Sequence, residues 1–335
     1  MSIKPNVMKV IIILMLQLSI AFSIQAQKNG QAPYLTQSLS KEMIKNVEVE
    51  TFAGSISVAG VDPSEARIEV YVRGSNDNDD DLSNEEIKKR LEENYTLAIS
   101  VDGNKLMAKA KTKQGKLIWT PSLSISFKVF VPKNTSSALS TSGGNINLQN
   151  LNGLQDFATI GGNLRLKHVS GKVKGRTSGG SIQADNCSGD INLATSGGSL
   201  DLNALEGVLH AITSGGNIKA RNIKGELISQ TSGGNVGLSD LSCSLEISTG
   251  GGNIDVAIKE YGKYVRIDNS GGNIDVQLPA GKGVDLNLEG DQVHTTAFNN
   301  FSGNREKDNV KGTLSGGGIP VKIKTHSGRI DLSLN

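Results

Sequence analysis

The chain has 335 residues, of which 40 are glycine and only 4% are aromatic. A globular core of this size normally uses more aromatic side chains, so the composition favours a narrow stack of aliphatic residues instead. Basic residues outnumber acidic ones by only two, and this near balance argues against nucleic acid as the main partner.

The first 26 residues have the pattern of a secretory signal peptide. Lys4 and Lys9 precede an apolar run over residues 10–22, and Ala26 supplies a small residue for cleavage before Gln27. The run is too short for a spanning helix, and no later segment approaches the roughly 18 apolar residues that such a helix needs. We therefore expect export and removal of residues 1–26, which leaves equal numbers of acidic and basic residues in the mature chain.

Residues 27–140 are predicted to form a β-rich capping region. Alternating apolar residues predict strands over 47–61, 68–72, 96–101, 105–109 and 123–131. One helix is predicted over 83–94, because Ser83 and Glu86 form a capping box and Ile87 and Leu91 share one face. An open edge of stacked strands invites aggregation, so we expect this region to cover the N-terminal end of the array that follows.

Residues 141–288 contain eight copies of one short unit. Seven of them begin with a Thr-x-Gly-Gly tetrad at steps of 18 residues: Thr141, Thr159, Thr177, Thr195, Thr213, Thr231 and Thr249. The eighth begins at Asn269, after a step of 20 residues. Positions 6 and 8 are always apolar and position 7 varies freely, which is the period of a strand with one buried face. A weaker glycine-containing echo nine residues later predicts a second strand in each coil. The sequence therefore predicts an all-β, single-stranded parallel β-solenoid of right-handed 18-residue coils.

The Gly-Gly-Asn sequence at positions 3–5 is interpreted as a tight corner. Glycine reaches positive φ without a clash, asparagine tolerates it, and missing side chains let stacked corners approach closely. We expect the asparagines to share amide hydrogen bonds along the stack. We also expect the position-1 threonines to form one inward column, bonded to the backbone or to each other. A phosphate-cradling loop is the alternative, but it requires a following helix, and a strand follows in all eight units.

Residues 289–335 break the period. Residues 293–310 are polar and predict a long loop, whereas residues 325–332 restore the repeat spacing and predict a closing rung. Within the array, Cys187 and Cys243 lie three coils apart, or about 14 Å along the axis. A disulfide needs much closer Cα atoms, so both cysteines are expected to stay free even after export.

The Thr-Ser-Gly-Gly-Asn-Ile unit, the alternating strands before it and the Ser-Gly-Arg-Ile-Asp-Leu ending resemble the bacterial putative-adhesin family of β-strand-repeat proteins. The resemblance covers residues 45–335 and implies an exported, non-enzymatic β-solenoid. Some relatives resemble proteins of envelope signalling or surface attachment. The family offers no catalytic residues to carry over.

Few residues suggest chemistry. The aspartate-rich run 77–81 suggests calcium, but an EF-hand loop starting there would need glycine and glutamate where Leu82 and Lys88 stand. Asp255 and Asp275 occupy position 7 of adjacent units and could be the carboxylate pair of a polysaccharide-cleaving enzyme. Position 7 points outward from a flat face without a further acid or base, so no catalysis is expected. The four histidines fall at unrelated positions and predict no metal cluster.

One basic run has two open interpretations. Its members follow one another in the second unit without an intervening acid: Arg165, Lys167, Lys172, Lys174 and Arg176. They form either a solvated surface or a contact for an anionic polymer.

These patterns predict an exported β-solenoid in the periplasm, at the cell surface or outside the cell, acting as an adhesin-like binding or scaffold protein. The expected partner is a glycan or protein of the envelope or surface. No catalytic, cofactor-binding or metal-binding residue and no cofactor is predicted, and the sequence does not identify the binding residues. A periplasmic sensory or regulatory module is the alternative function, followed by a polysaccharide-active β-helix enzyme.

Overall fold

The computed structural model describes residues 32–75, 82–113 and 123–335. The predicted signal peptide and the aspartate-rich run lie outside the described residues. The regular elements in chain order are β1 Leu35–Ser38, β2 Asn46–Glu50, β3 Ile56–Val61, a 3₁₀ turn Pro63–Glu65, β4 Arg67–Gly74, α1 Asn84–Asn94, β5 Tyr95–Asp102, β6 Lys105–Thr112, β7 Leu123–Pro132, β8 Ser136–Ser140, β9 Ile146–Ala158, β10 Leu164–Thr177, β11 Ile182–Asp185, β12 Ser188–Thr195, β13 Leu200–Thr213, β14 Ile218–Thr231, β15 Val236–Thr249, β16 Ile254–Asn269, β17 Ile274–Leu278, β18 Val284–Glu289, β19 Gln292–Thr295, β20 Phe301–Arg305, β21 Asn309–Leu314, β22 Ile319–Thr325 and β23 Arg329–Leu334.

The repeat forms a stack of parallel strands, as predicted. We number the units starting at Thr141 as rungs 1–8 and call positions 6–9 of each unit the A segment and positions 11–18 the B segment. In rungs 1–6 each segment pairs in parallel with the same segment of the next rung, as Leu164 does with Ile182 and Val173 with Ile191. The apolar side chains at the inward positions are buried along the whole array. Each contributes on the order of 2 kcal/mol of burial free energy, which makes the stack the core of the protein.

The two segments of a coil meet at a left-handed residue that sequence reasoning missed. Position 10 has φ between 53° and 55° in six successive rungs: Asn150, His168, Asn186, Ala204, Asn222 and Asp240. Asparagine and aspartate tolerate this conformation best, which explains why they hold four of the six positions. The signal was a column of Asn and Asp three residues before the echo glycine.

Of the two glycines at the other corner, the one at position 4 acts through close approach. The assignment of positive φ to this pair is wrong for rungs 1–6. A Cβ at Gly162 would lie 1.9 Å from the carbonyl oxygen of Gly144, and one at Gly180 would lie 1.9 Å from that of Gly162. The position-4 glycine therefore exists because the adjacent rung occupies the space of its side chain. Positive φ occurs at this position at Gly252 and Gly272, in rungs 7 and 8, and at the corresponding Gly328 of the C-terminal rung.

The predicted threonine column is confirmed. All seven position-1 threonines are at most 5% exposed, and in successive rungs they pair directly, as Thr195 does with Thr213. Their hydroxyls donate to backbone carbonyls rather than to one another: those of the preceding unit for Thr177 and Thr195, and that of Gly54 for Thr141. The position-5 column differs in detail from the prediction: the Asn163 side-chain oxygen accepts the backbone N–H of Ser181 at 2.7 Å. In this column each side-chain oxygen accepts a backbone N–H of the next rung. A serine hydroxyl can do this as well, so the ladder continues through Ser181 and Ser199.

The N-terminal end of the stack is built from strands that are out of sequence order. β2 and β3 pair in parallel with β8 and β9 on one side and with β6 and β7 on the other. Antiparallel strands β5 and β4 then cover β6 and β7, and β1 pairs with β4. The predicted helix is confirmed as α1, with the Ser83 hydroxyl accepting the N–H of Glu86 at 3.2 Å and with Ile87 and Leu91 buried.

The C-terminal rung is also inserted into the stack. Thr325 pairs with Asn269 and Ile330 with Ile274, so residues 325–332 form a further copy of the unit, as predicted. The expectation that this rung closes the stack is wrong, because β18 and β19 pair with its other edge.

The predicted long loop over residues 293–310 is wrong. Strands β19, β20 and the start of β21 lie there, and β21 and β20 add to β18 in antiparallel order. Val293 and Val310 are buried in this segment. These few apolar residues suffice to hold the segment against the end of the stack. Its backbone there forms hydrogen bonds with groups of an edge strand that would otherwise be unpaired.

Cys187 and Cys243 are both free and buried, as predicted. Burial raises the pKa of the Cys187 thiol to about 11 and that of Cys243 to about 12. Both thiols are therefore protonated core groups at neutral pH. Within the described part of the chain, no helix has the length and apolar character that crossing a membrane requires.

Candidate ligand-binding face on the A segments

The outward residues of the A segments form straight columns along the array. Because the strands pair in register at every rung, position 7 of one rung lies beside position 7 of the next, as Arg165 does beside Gln183 and Asp201 beside Lys219. Positions 5, 7 and 9 all face away from the core because strand side chains alternate. Adjacent columns are thus presented on one surface, which we call the A face.

A shallow groove of about 430 Å³ runs along the A face across rungs 2–5. Its polar lining comes from positions 5 and 7 of these rungs: Asn163, Arg165, Ser181, Gln183, Ser199, Asp201, Asn217 and Lys219. The groove therefore offers two rows of hydrogen-bonding groups with a spacing of about 4.8 Å along the array.

The position-5 row is fixed by its own hydrogen bonds. The side-chain oxygen of Asn163 accepts the N–H of Ser181, and that of Asn217 accepts the N–H of Asn235 at 2.8 Å. The amide oxygen is used in each bond, so the NH₂ group is the part left for a ligand. These donors are held in place by the array and lose little rotational freedom on binding.

Basic side chains stand at both ends of the groove. Arg165 and Lys167 belong to rung 2 and Lys219 and Arg221 to rung 5, and all four are exposed. None of them forms an ion pair with another residue of the described ranges. The acid Asp185, at position 9 between them, is engaged instead by amide donors, with Gln183 at 3.1 Å and Asn203 at 3.3 Å.

The basic run predicted from the sequence is divided between two segments. Arg165 and Lys167 lie on the A segment of rung 2, and the other three residues follow on its B segment, after the left-handed residue His168. On the B segment Lys172 pairs with Asp190 at 3.9 Å. Only the A-segment half therefore adjoins the groove.

The candidate carboxylate pair lies at the other end of the A face. Asp255 pairs with Asp275, and Asp275 pairs in turn with Asp331 of the inserted C-terminal rung. His294 completes this group from β19, with its Nδ1 atom 3.1 Å from Asp331. Sequence reasoning missed Asp331 and His294 because the rung insertion that brings them here is not visible in the repeat.

The pKa values of Asp275 and Asp331 are shifted in opposite directions. Burial and the hydrogen bond shared with Asp331 raise the pKa of Asp275. Burial opposes the charged form of Asp331 as well, but hydrogen bonds from Arg329 and His294 outweigh it and lower the pKa of Asp331. Asp275 and Asp331 are direct neighbours on paired strands, so the pKa of each carboxyl group depends on the charge of the other.

A second cavity, of about 550 Å³, lies at the C-terminal end of the stack. Its charged lining is mostly acidic and comprises Glu289, Asp291, Glu306, Asp308, Lys324 and His326. Lys324 pairs with Glu289 at 3.1 Å, and Asp291 accepts the N–H of Gly328 at 3.0 Å. No group of His, Cys, Asp and Glu in residues 32–75, 82–113 and 123–335 is arranged to hold a metal ion.

The family match covers the C-terminal third of the chain. Residues 226–333 match the family described as Toastrack DUF4097. Over these residues the chain is similar to that family. The predicted resemblance to the putative-adhesin family of β-strand-repeat proteins is thereby confirmed. The Toastrack DUF4097 segment begins in the B segment of rung 5 and includes the inserted C-terminal rung. The groove lies N-terminal to it.

Solved structures with loose similarity come from three bacteria. A "putative adhesin" of Bacteroides fragilis is 12% identical, with a TM-score of 0.38, and the match covers 89% of this chain and 96% of that one. A "putative cell adhesion protein" of Clostridium sporogenes is 12% identical, with a TM-score of 0.20 and coverages of 90% and 98%. A "putative lipid binding protein" of Parabacteroides distasonis is 10% identical, with a TM-score of 0.24 and coverages of 91% and 97%. No curated protein matches the chain. These TM-scores are too low for the function of any of the three proteins to be assigned to this chain.

Proposed function

We propose that this chain is an exported binding or scaffold protein of the cell envelope, with an adhesin-like role and no catalysis. The observation that supports this most is the groove on the A face, where four successive rungs present polar groups in register. Such a surface suits an extended, hydroxyl-rich polymer, because each rung can repeat a similar contact with the next part of the ligand. Many weak contacts in one row add up to useful affinity without a deep pocket.

The rigidity of the solenoid supports the same role. The position-1 threonines and the position-5 asparagines tie each rung to its neighbour through side chain to backbone bonds. A ligand on the A face therefore meets a surface whose geometry is set before binding. Catalysis would need an acid and a base facing a shared substrate atom. The neighbouring carboxylates Asp255, Asp275 and Asp331 lie at the far end of the A face, outside the lining of the groove.

The test is a binding screen of the mature chain, residues 27–335, against envelope polysaccharides and surface proteins. The groove is blocked in the variant Gln183→Trp. The control Gln230→Trp places the same side chain at an exposed position on the B segment. We expect at least one envelope polymer to bind, with binding lost in Gln183→Trp and kept in Gln230→Trp. Equal binding by both variants, or no ligand in the screen, would overturn the assignment of the A face.

Export is tested separately. Residues 1–26 fused to a periplasmic reporter should direct it out of the cytoplasm, and the Lys4→Glu, Lys9→Glu variant should reduce this because the positive start is lost. Retention of the unmodified fusion in the cytoplasm would contradict the envelope location.

A further inference from the structure

The four basic residues of the A face form two pairs with a fixed separation. Arg165 and Lys167 stand at positions 7 and 9 of rung 2, and Lys219 and Arg221 at the same positions of rung 5. The register between these rungs is unbroken through β10, β11, β13 and β14. Three rung spacings place the pairs about 14 Å apart. All four side chains are exposed and form no ion pair in the described ranges, although Lys167 is the strand neighbour of Asp185 and Lys219 that of Asp201. Arg165 and Arg221 have no acidic strand neighbour, so each pair keeps one cation available to a ligand.

The surface between the pairs has the opposite character. Rung 3 carries Asp185 and rung 4 carries Asp201, with Ser181 and Ser199 beside them at position 5. Carboxylates are acceptors only, so they bind hydroxyl or amide donors and repel anions. A polymer with an anionic group at every step would place negative charge directly against these aspartates. The middle of the groove therefore selects for neutral, hydroxyl-bearing units.

We infer that the ligand of the A face is an acidic polysaccharide in which anionic groups are separated by neutral sugar units. One anionic group binds the Arg165/Lys167 pair and a second binds the Lys219/Arg221 pair. The hydroxyl groups between them donate to Asp201 and to the acceptor positions of Asp185 that Gln183 and Asn203 leave open. This inference rests on the proposed function and adds the chemical class of its ligand.

The probes are three forms of one polymer, which differ in the group at C6 of the sugar and thereby in charge. Polygalacturonate carries an acid on every sugar, a methyl ester form with about two thirds of its acids blocked carries spaced charges, and the fully carboxyl-reduced form is neutral. We expect the partly esterified form to bind best, and its binding to weaken as salt concentration rises. Single-stranded DNA serves as an evenly charged polyanion and should bind more weakly than the partly esterified form.

Two double variants test the two basic pairs. Arg165→Gln with Lys167→Gln and Lys219→Gln with Arg221→Gln should each weaken binding about tenfold or more, because each removes one anion contact. The control Lys172→Gln with Lys174→Gln removes the same number of charges from the B segment of rung 2 and should leave binding unchanged.

The outcomes separate this inference from the proposed function. If the neutral form binds as well as the charged ones and Gln183→Trp abolishes that binding, the A face binds a glycan but the charge requirement is wrong. Stronger binding of fully charged polygalacturonate or of DNA would contradict the inference that the anionic groups are spaced apart. An equal loss of binding in the B-segment control would contradict the assignment of the site to the A face. Absence of binding to all forms, and to every polymer of the envelope screen, would overturn both proposals.

Discussion

The hydroxyl of Thr177 donates a hydrogen bond of 2.7 Å to the carbonyl oxygen of Gly162, 15 residues earlier in the preceding unit. The same hydroxyl accepts the N–H of Gly180 at 3.2 Å. One buried side chain thus ties its own corner to the corner beside it, independently of the strand pairing. The contact recurs in rungs 2–6, and Asn269 replaces it in rung 8 by donating its amide to Gly252 at 3.0 Å. The corners are consequently part of the cooperative stack.

We predict that Thr213→Val lowers the free energy of unfolding by about 1–2 kcal/mol. Thr213 is 2% exposed and bonds the carbonyl of Gly198 at 2.8 Å, so the isosteric valine leaves a buried acceptor without this donor. Thr213→Ser keeps the hydroxyl and is the control. Urea denaturation of both variants measures the difference, and equal stability of valine and serine variants would show that the hydroxyl contributes nothing.

The two corner glycines should differ sharply on substitution. A Cβ at Gly180 would meet the carbonyl oxygen of Gly162 at 1.9 Å, whereas at Gly179 the nearest atom is 3.7 Å away. We expect Gly180→Ala to cost about 3 kcal/mol or more because the rungs must separate. Gly179→Ala should stay within about 0.5 kcal/mol of the parent. Thermal unfolding followed by circular dichroism tests this, and similar melting temperatures for the two variants would refute the close-approach explanation.

Deletion of one whole unit, residues 195–212, should leave a folded protein. The deletion joins position 18 of rung 3 to position 1 of rung 5, so every column closes up with one rung fewer. Ile218→Asp is the contrasting change, because Ile218 is fully buried and an unpaired charge there should cost several kcal/mol. Circular dichroism melts compare the two, and greater damage from the unit deletion would contradict nearest-neighbour stacking.

Glu48 should make stability depend on acid pH. Its carboxylate lies 2.5 Å from both Lys105 and Lys109, and hydrogen bonds from these two lysines lower the pKa of Glu48 from 4.5 to about 2. A lowered pKa in the folded state stabilises the fold above the ordinary pKa, and this contribution is lost as pH falls from 4.5 towards 2.

We therefore expect Glu48→Gln to cost roughly 1 kcal/mol at pH 7, a value reduced for solvent screening of these partly exposed groups. The difference from the parent should vanish near pH 2. Glu50→Gln removes a single pair with Lys111, in which both side chains are exposed, and should change stability by less than about 0.5 kcal/mol. Chemical denaturation at several pH values measures both, and a pH-independent loss in Glu48→Gln would exclude the ion pair as its cause.

The 18-residue period by itself determined the stack of parallel strands, because it fixes both which side chains are buried and which residues pair between neighbouring strands. Ile146 and Leu148 alternate with a variable residue in every unit, and only a strand places such residues on one face. The column of Thr177 and Thr195 and the separation of Cys187 from Cys243 followed from the same step. These features are local or repeat at a fixed distance, so a single sequence carries them.

The ends of the stack were decided only by the tertiary structure. Nothing in the unit indicates that the last rung inserts between β17 and β19, since a rung can pair with any edge that has matching register. That choice depends on competition between edges for the same backbone groups, and it is what places Asp331 and His294 beside Asp275. The groove depends on tertiary structure in the same way. Arg165 and Lys219 are 54 residues apart in sequence, and only the stacking of three coils makes them the two ends of one surface.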